Sequence, residues 1–113
     1  MILTGSLENL YKAKPQLIDN MYLYKILKYD KPVKLHTDRW SVEYHRVVRC
    51  LTDVEFFYHD TVYHVKRNDY ILFDCQILHG NKPDTKYKKT EYELYLYNNP
   101  NVILTRKLLD NLQ

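Results

Sequence analysis

The sequence has only two glycines and two cysteines among its 113 residues. Two glycines are too few for a glycine-rich phosphate loop, and neither a P-loop nor a dinucleotide-binding fingerprint occurs. The cysteines, Cys50 and Cys75, cannot build a zinc knuckle or a framework of disulfides. We therefore expect two reduced thiols, as in a cytoplasmic protein, and no nucleotide site of either glycine-rich kind.

Long apolar runs are also missing. Uncharged apolar stretches such as Ile71-Leu72-Phe73 are only a few residues long, whereas a membrane helix needs about 20 residues. The first residues have neither the basic region nor the apolar centre of a secretion signal. The sequence predicts a cytoplasmic protein without a membrane span.

The charge is close to balanced, with 17 basic and 14 acidic residues and a net charge of +3. This excess does not form the basic stripe of a dedicated nucleic-acid-binding protein. Binding of nucleic acid through basic and aromatic side chains on one sheet face stays open as the least favoured option. It predicts that the affinity falls steeply with salt.

Tyrosine is the abundant residue, with 12 copies beside three phenylalanines and one tryptophan. Tyrosine, valine and phenylalanine favour half-buried β surfaces. The abundance of lysine, asparagine, tyrosine and isoleucine is also typical of an AT-rich gene, such as that of a phage or another virus. A chain of 113 residues is expected to form a single domain.

Short β-rich runs dominate the chain from residue 21 onward. A short N-terminal helix is predicted after Ser6, which would cap it, and Pro15 is expected to end it. Asn99-Pro100 predicts the start of a C-terminal helix over residues 102–112. Close spacing of the turn signals favours a sandwich or barrel. The predicted strands are residues 21–28, 33–40, 45–51, 54–58, 61–65, 70–73, 76–79 and 90–97.

Candidate metal ligands lie in two of these runs. His36 and Asp38 are two residues apart in a predicted strand, so their side chains point to the same side. Taken alone, a solvated surface pair is the favoured interpretation. His79 ends another predicted strand, where it would otherwise cap a turn. Two histidines and one carboxylate form the facial triad of non-haem Fe(II) oxygenases. The competing histidines are His45, His59 and His64.

The order of these residues resembles that of the Fe(II)/2-oxoglutarate-dependent oxygenases, most closely the prolyl-hydroxylase-like branch. The matching stretches are residues 29–38, which contain the HxD motif, and residues 70–83, which contain the distal histidine. The resemblance covers about residues 21–97. It implies a mainly β fold, namely a double-stranded β-helix (a jelly-roll or cupin-like barrel), here with short N- and C-terminal helices. It further implies one Fe(II), held by His36, Asp38 and His79, and 2-oxoglutarate as the small-molecule cosubstrate.

The resemblance also assigns the cosubstrate contacts. Lys88 or Lys89 would bind the far carboxylate, and Tyr29, which precedes the HxD motif, would donate to the cosubstrate. Simple packing is the favoured interpretation of Tyr29, and a solvated basic loop is the alternative for the two lysines. Strand parity prefers Lys88, because turning Lys89 inward would also turn Glu91 and Glu93 inward. With Lys88 inward, the residues that follow it to the interior are Thr90, Tyr92, Leu94 and Leu96.

The implied reaction is hydroxylation of a protein side chain, a small molecule or a base, and the residues do not distinguish these substrates. The interval between Asp38 and His79 is short for the family, and its usual glycines and N-terminal helices are largely missing. The alternative function is therefore a non-catalytic β-barrel binding module. It would be a phage-encoded effector that binds a host protein through its tyrosine-rich surface.

Overall fold

Two short helices open the chain in the computed structural model, which describes residues 2–38 and 45–97. Helix α1 (Leu7–Ala13) is capped as predicted, because the Ser6 hydroxyl accepts a hydrogen bond from the Asn9 amide at 3.2 Å. Pro15 does not simply end this helix, because it occupies the first turn of a second helix, α2 (Pro15–Asp19). Proline is tolerated there because an N–H in the first turn has no hydrogen-bond partner within the helix. The predicted C-terminal helix over residues 102–112 lies outside the described residues.

The described residues contain eight strands in two antiparallel sheets. The strands are β1 (Ile2–Gly5), β2 (Met21–Tyr29), β3 (His45–Cys50), β4 (Val54–Tyr58), β5 (Thr61–Val65), β6 (Tyr70–Asp74), β7 (His79–Asn81) and β8 (Thr90–Tyr97). Sheet A has the order β1-β6-β3-β8-β2, and sheet B has the order β5-β4-β7. The chain is thus mainly β, with two sheets arranged as a sandwich. The helices in the described ranges are too short and too polar to cross a bilayer.

The strand predicted over residues 33–40 is wrong in its described part. Residues 33–38 lie beside β7 without forming a regular strand, and one isolated bridge joins His36 to His79. Further backbone bonds hold the segment in place, from Asn81 to Val33 at 2.9 Å and from Asp38 to Cys75 at 2.8 Å. Residues 39 and 40 lie outside the described part of the chain.

The strand predicted over residues 76–79 is also wrong. The Asp74 carboxylate accepts a hydrogen bond from the Gln76 amide at 2.9 Å, and the Ile77 amide donates to the Asp74 carbonyl at 3.2 Å. This local turn competes with strand pairing. The strand therefore begins at His79 instead of ending there. Strand β1, which pairs with β6, was not predicted.

Two apolar clusters hold these elements together. The inner core lies between the sheets and contains buried residues from both, including Val48, Phe56, Ile71 and Phe73. The outer cluster packs the helices against the other face of sheet A, around Leu10, Val47 and Leu72. Alternate residues of β3 and β6 thus face opposite clusters, as the period of a strand requires. The inner core is the cluster that reaches the candidate site.

Candidate metal centre

His36, Asp38 and His79 come together beside β7. The bridge holds the two histidines opposite each other, since the His36 amide donates to the His79 carbonyl at 2.9 Å and the reverse bond is 3.0 Å. Asp38 Oδ1 lies 3.7 Å from His36 Nε2, and Asp38 Oδ2 lies 3.7 Å from His79 Nε2. One ligand atom from each residue lies within 4.8 Å of the others. They form the one such group found in the described ranges.

Both imidazoles are oriented by backbone carbonyls. His36 Nδ1 lies 2.7 Å from the Lys34 carbonyl oxygen, and His79 Nδ1 lies 2.7 Å from the Ile77 carbonyl oxygen. A carbonyl can only accept, so each Nδ1 carries the proton and donates it. Each Nε2 lone pair is then free to face Asp38. Metal-binding histidines are commonly fixed by this kind of hydrogen bond from the other ring nitrogen.

A close backbone contact at Gly80 supports this geometry. A β-carbon at position 80 would lie only 2.9 Å from the carbonyl oxygens of both Val33 and Lys34. The Lys34 carbonyl is the acceptor that orients His36. Glycine therefore allows the segment 33–38 to approach β7 closely enough for the two histidines to share one site.

The three ligands differ in burial. The His79 side chain is 6% exposed, that of Asp38 is 20% exposed and that of His36 is 43% exposed. Phe73 and Phe56 pack around His79, with ring centroids 4.8 Å and 6.2 Å from its own. Burial lowers the pKa of the His79 imidazole, with His36 and Arg46 acting in the same direction, and this outweighs the hydrogen bond to the Ile77 carbonyl and the charge of Asp38, which raise it. His79 is therefore neutral at pH 7, which is the form that binds metals.

A cavity of about 680 Å³ opens beside the three ligands. This volume is in the range of small-molecule sites. Tyr29 lines the cavity together with Tyr92, and their rings meet edge to face at 6.4 Å. Burial and the negative charge of Asp38 raise the pKa of the Tyr29 phenol. Tyr29 therefore stays protonated at neutral pH and presents a hydrogen-bond donor.

The two lysines assigned to the cosubstrate do not line this cavity. Both are exposed, and the Lys88 ammonium donates to the Thr85 carbonyl at 3.0 Å. The parity predicted for β8 holds, because Thr90 and Tyr92 are buried and Leu94 packs on the inner core. Parity does not extend back to Lys88, because β8 begins only at Thr90. Their role at the cosubstrate stays a prediction.

The competing histidines occupy other elements. His45 begins β3, His59 lies at the tip of the β4–β5 hairpin, and His64 lies on β5 with its Nδ1 3.8 Å from Glu55. None of these three histidines belongs to the group of possible metal ligands found among the described residues.

Sequence reasoning missed Arg46 as a residue of the site. Arg46 lies on β3 and lines the cavity together with the three ligands. The sequence of β3 did not show which face points inward, because each face has one arginine and one valine. Arg46 and Val48 share one face, and Val47 and Arg49 share the other. The structure separates them: Val48 belongs to the inner core, whereas Arg49 forms an ion pair with Glu93 at 2.7 Å.

The donor set fits a divalent transition metal. Two imidazole nitrogens and a carboxylate occupy one face of an octahedron in non-haem Fe(II) sites and leave other positions open. Two ligand atoms about 2.1 Å from one ion and at right angles lie about 3 Å apart. The three ligand atoms, which lie within 4.8 Å of one another, would have to move inward to bind one ion, and their side chains already face one another.

In comparisons with known proteins, the chain matches no protein-family model, no curated protein and no solved structure. Its function must therefore be inferred from the geometry of its own residues.

Proposed function

We propose that this protein is a small Fe(II)- and 2-oxoglutarate-dependent oxygenase that hydroxylates a substrate. His36, Asp38 and His79 are the proposed iron ligands. The observation that carries the proposal is their convergence with both Nδ1 atoms tied to carbonyls, which leaves two nitrogen donors and a carboxylate facing one point. If His36 and Asp38 were only a chance pair on the surface, there would be no reason for His79, more than 40 residues further along the chain, to lie beside them. There would also be no reason for both imidazoles to be oriented by hydrogen bonds.

The strand pairing supports a double-stranded β-helix as the fold. Strand β4 pairs with β5, β3 with β6, and β2 with β8, while segment 33–38 bridges to β7. This nested pairing is that of one long antiparallel ribbon. The additional pairs β3–β8 and β4–β7 join one turn of the ribbon to the next, as expected when the ribbon is rolled into a jelly roll.

The residues around the cavity suit the proposed chemistry. Fe(II), with 2-oxoglutarate and O₂, would supply the oxidising power for hydroxylation. Asp38 and the two histidines would hold the ion, and Tyr29 would donate a hydrogen bond to the cosubstrate. The aromatic walls around His79 would limit the access of water to the site. Cys50 and Cys75 are free and buried, which suits the proposed cytoplasmic location.

Anaerobic binding of Fe(II) and 2-oxoglutarate tests the proposal. A chelated complex should give a visible charge-transfer absorption band. We expect this band with the wild-type protein and its loss in His36→Ala and His79→Ala. The matched control is His64→Ala, which removes an exposed histidine from β5 and should leave the band unchanged. A folded wild-type protein that binds no Fe(II), or equal loss in all three variants, would contradict the proposal.

A second candidate function is supported by an exposed apolar surface on β2, of which Tyr22 and Tyr24 also line the cavity. Strand β2, at the edge of sheet A, exposes four large apolar side chains that are each 46% to 56% accessible: Tyr22, Leu23, Tyr24 and Ile26. Exposed apolar and tyrosine-rich surfaces are typical of protein-binding sites. A non-catalytic module that binds a host protein through β2 is therefore the alternative. The same experiment separates the two, because the module predicts a folded protein without the absorption band.

A further inference from the structure

Strand β2 forms one edge of sheet A. It is the last strand in the order of the sheet and pairs with β8 alone among the strands of the described residues. With nine residues it is longer than a typical strand of about 5–6 residues. The backbone N–H and C=O groups along such an edge can pair with a further strand. The edge of β2 therefore offers a long row of hydrogen-bonding groups to another polypeptide.

The side chains of β2 add apolar contact area to this edge. Tyr22, Leu23, Tyr24 and Ile26 are each 46% to 56% accessible. Tyr22 and Tyr24 also line the cavity that contains the candidate metal ligands. A strand added to β2 would therefore extend the wall of this cavity and cover large apolar side chains.

The positive charge of the protein is concentrated in the same part of the chain. Residues 21–34 contain four lysines, spaced every third residue, and one aspartate. All four lysines are exposed. They give this segment a charge of +3, which equals the net charge of the whole chain, so the other residues are balanced with 13 basic and 13 acidic side chains. A partner attracted by charge is therefore acidic.

Strand β8 shows which sequence pairs well with β2. It contains two glutamates and no basic residue, and its other residues are tyrosine, leucine and threonine. In the antiparallel register, Glu91 lies across from Lys28, whereas Lys25 lies across from Leu94. Opposite charges facing each other stabilise a strand pair. Because Lys25 and Lys28 are three residues apart, a strand on the other edge would face both lysines with two acidic residues that are also three apart.

A second copy of the chain suits this edge less well. Strand β2 contains Lys25 and Lys28 and no acidic residue, so pairing of two copies would bring like charges together. Edge lysines are a common protection against such self-association. Single-stranded nucleic acid could use the lysines and tyrosines, but it cannot pair with the backbone of β2 as a strand does. An acidic polypeptide uses the charge, the apolar side chains and the backbone together.

We propose that β2 binds an extended polypeptide segment of a partner protein as an additional strand of sheet A. The segment is apolar and contains two acidic residues three positions apart, which face Lys25 and Lys28. The assignment rests on the second candidate function, binding through β2, and specifies the chemistry of the partner and its mode of binding. It does not depend on the candidate metal centre, because none of the three ligands lies on β2.

Selection from a displayed library of random peptides, each about as long as β2, tests the assignment. The target is the full-length protein without added metal. We expect the selected peptides to be rich in β-branched and aromatic residues and to share the two acidic residues. Synthetic copies should bind the wild-type protein about tenfold more tightly than the double variant Lys25→Gln, Lys28→Gln, which loses two opposite-charge pairs. Added salt should reduce this difference.

Matched variants separate the charge of β2 from the net charge. The double variant Lys66→Gln, Arg67→Gln also removes two charges, but from the turn between β5 and β6. Its affinity for the peptides should stay within about twofold of wild type. His36→Ala should also bind them as wild type does. Lys25→Gln alone should weaken binding about threefold, and it serves where the double variant does not fold.

N-methylation of a selected peptide tests the strand geometry. In an added strand, the N–H groups of alternate residues point toward β2, and those of the other residues point away. Methylation of single residues in one alternate set should weaken binding about tenfold, because a hydrogen bond is lost. Methylation in the other set should change affinity by less than about threefold. Equal effects in both sets would exclude strand addition.

The results distinguish failure of binding from failure of the acidic strand. A folded protein that enriches no peptide overturns the second candidate function and this assignment together, and leaves the proposed metal centre untouched. Peptides without the acidic pair, or equal weakening in both double variants, overturn the acidic partner alone. Dimerisation of the wild-type protein that Tyr24→Glu abolishes would identify a second copy as the occupant. Tighter binding of single-stranded oligothymidine than of any peptide would identify nucleic acid, and either result overturns the assignment.

Discussion

At the scale of single residues, the candidate site depends on backbone groups as much as on ligands. The Lys34 carbonyl orients His36, and Gly80 lies against the same carbonyl. The Ile77 carbonyl, which ends the turn before β7, orients His79. Small movements of these backbone segments would therefore rotate the imidazoles without changing any ligand.

Replacing Gly80 with alanine tests this coupling. The new β-carbon would meet two carbonyl oxygens at 2.9 Å, so segment 33–38 must move away from β7. We expect Gly80→Ala to lower the free energy of unfolding by about 1–3 kcal/mol. We also expect Fe(II) affinity to fall by about 10- to 100-fold, as for other groups that orient metal ligands. Urea denaturation and anaerobic Fe(II) titration measure the two effects.

The neighbouring variant Leu78→Ala provides the control for Gly80→Ala. Leu78 is 40% exposed, and its truncation should change stability by no more than about 0.5 kcal/mol. Unchanged Fe(II) affinity in Gly80→Ala would show that the close approach of the two backbones does not shape the site.

At the scale of elements, the β4–β5 hairpin shows how strictly local geometry sets register. Tyr58 pairs with Thr61 across a two-residue loop. Both loop residues have positive φ, 45° at His59 and 68° at Asp60, as a type I′ turn requires. Asn-Gly is the preferred sequence for this turn, so the native residues carry strain that the strand pairing outweighs.

The joint substitution of His59→Asn and Asp60→Gly should relieve that strain. We expect it to raise the free energy of unfolding by roughly 0.5–1 kcal/mol, since a residue with a β-carbon is disfavoured at positive φ. The opposite variant, Asp60→Val, places a β-branched side chain there and should lower stability by about 1–2 kcal/mol. Thermal unfolding followed by circular dichroism distinguishes the two. A valine variant as stable as the native protein would rule out this turn.

At the scale of the whole molecule, sheet A separates two apolar clusters with different roles. Its inner face contributes Phe73, whose ring contacts Phe56 of sheet B at 5.0 Å and His79 at 4.8 Å. Its outer face contributes Leu72, which is fully buried under the helices with Leu10. The two residues are adjacent in β6, yet only Phe73 connects the sheet to the candidate metal centre.

Truncation of these two neighbours should separate stability from metal binding. We expect Leu72→Ala to cost about 2–5 kcal/mol and Phe73→Ala about 3–5 kcal/mol of unfolding free energy. Only Phe73→Ala should also weaken Fe(II) binding in the fraction that remains folded, by about tenfold, because His79 loses a ring that fixes it. Denaturation curves and Fe(II) titrations at low temperature give both quantities. Equal losses of Fe(II) affinity in the two variants would mean that binding merely follows stability.

The sequence by itself determined the features that depend on neighbours along the chain. The Ser6 cap, the β4–β5 hairpin and the inward parity of Thr90 and Tyr92 each follow from a few consecutive residues, and the structure confirms them. The types and order of the three candidate ligands could also be predicted, because the residue type alone determines whether a side chain carries an imidazole or a carboxylate.

Only the tertiary structure decided which of these groups share one site. Strand β1 forms because β6 offers an edge, and the turn at Asp74 moves the start of β7 to His79. Arg46 lines the cavity. Both faces of β3 contain buried residues, so the sequence pattern could not show which face points inward. The physical reason is that pairing register and burial are set by contacts between distant segments. Those contacts override local preference and leave no trace in any short stretch of sequence.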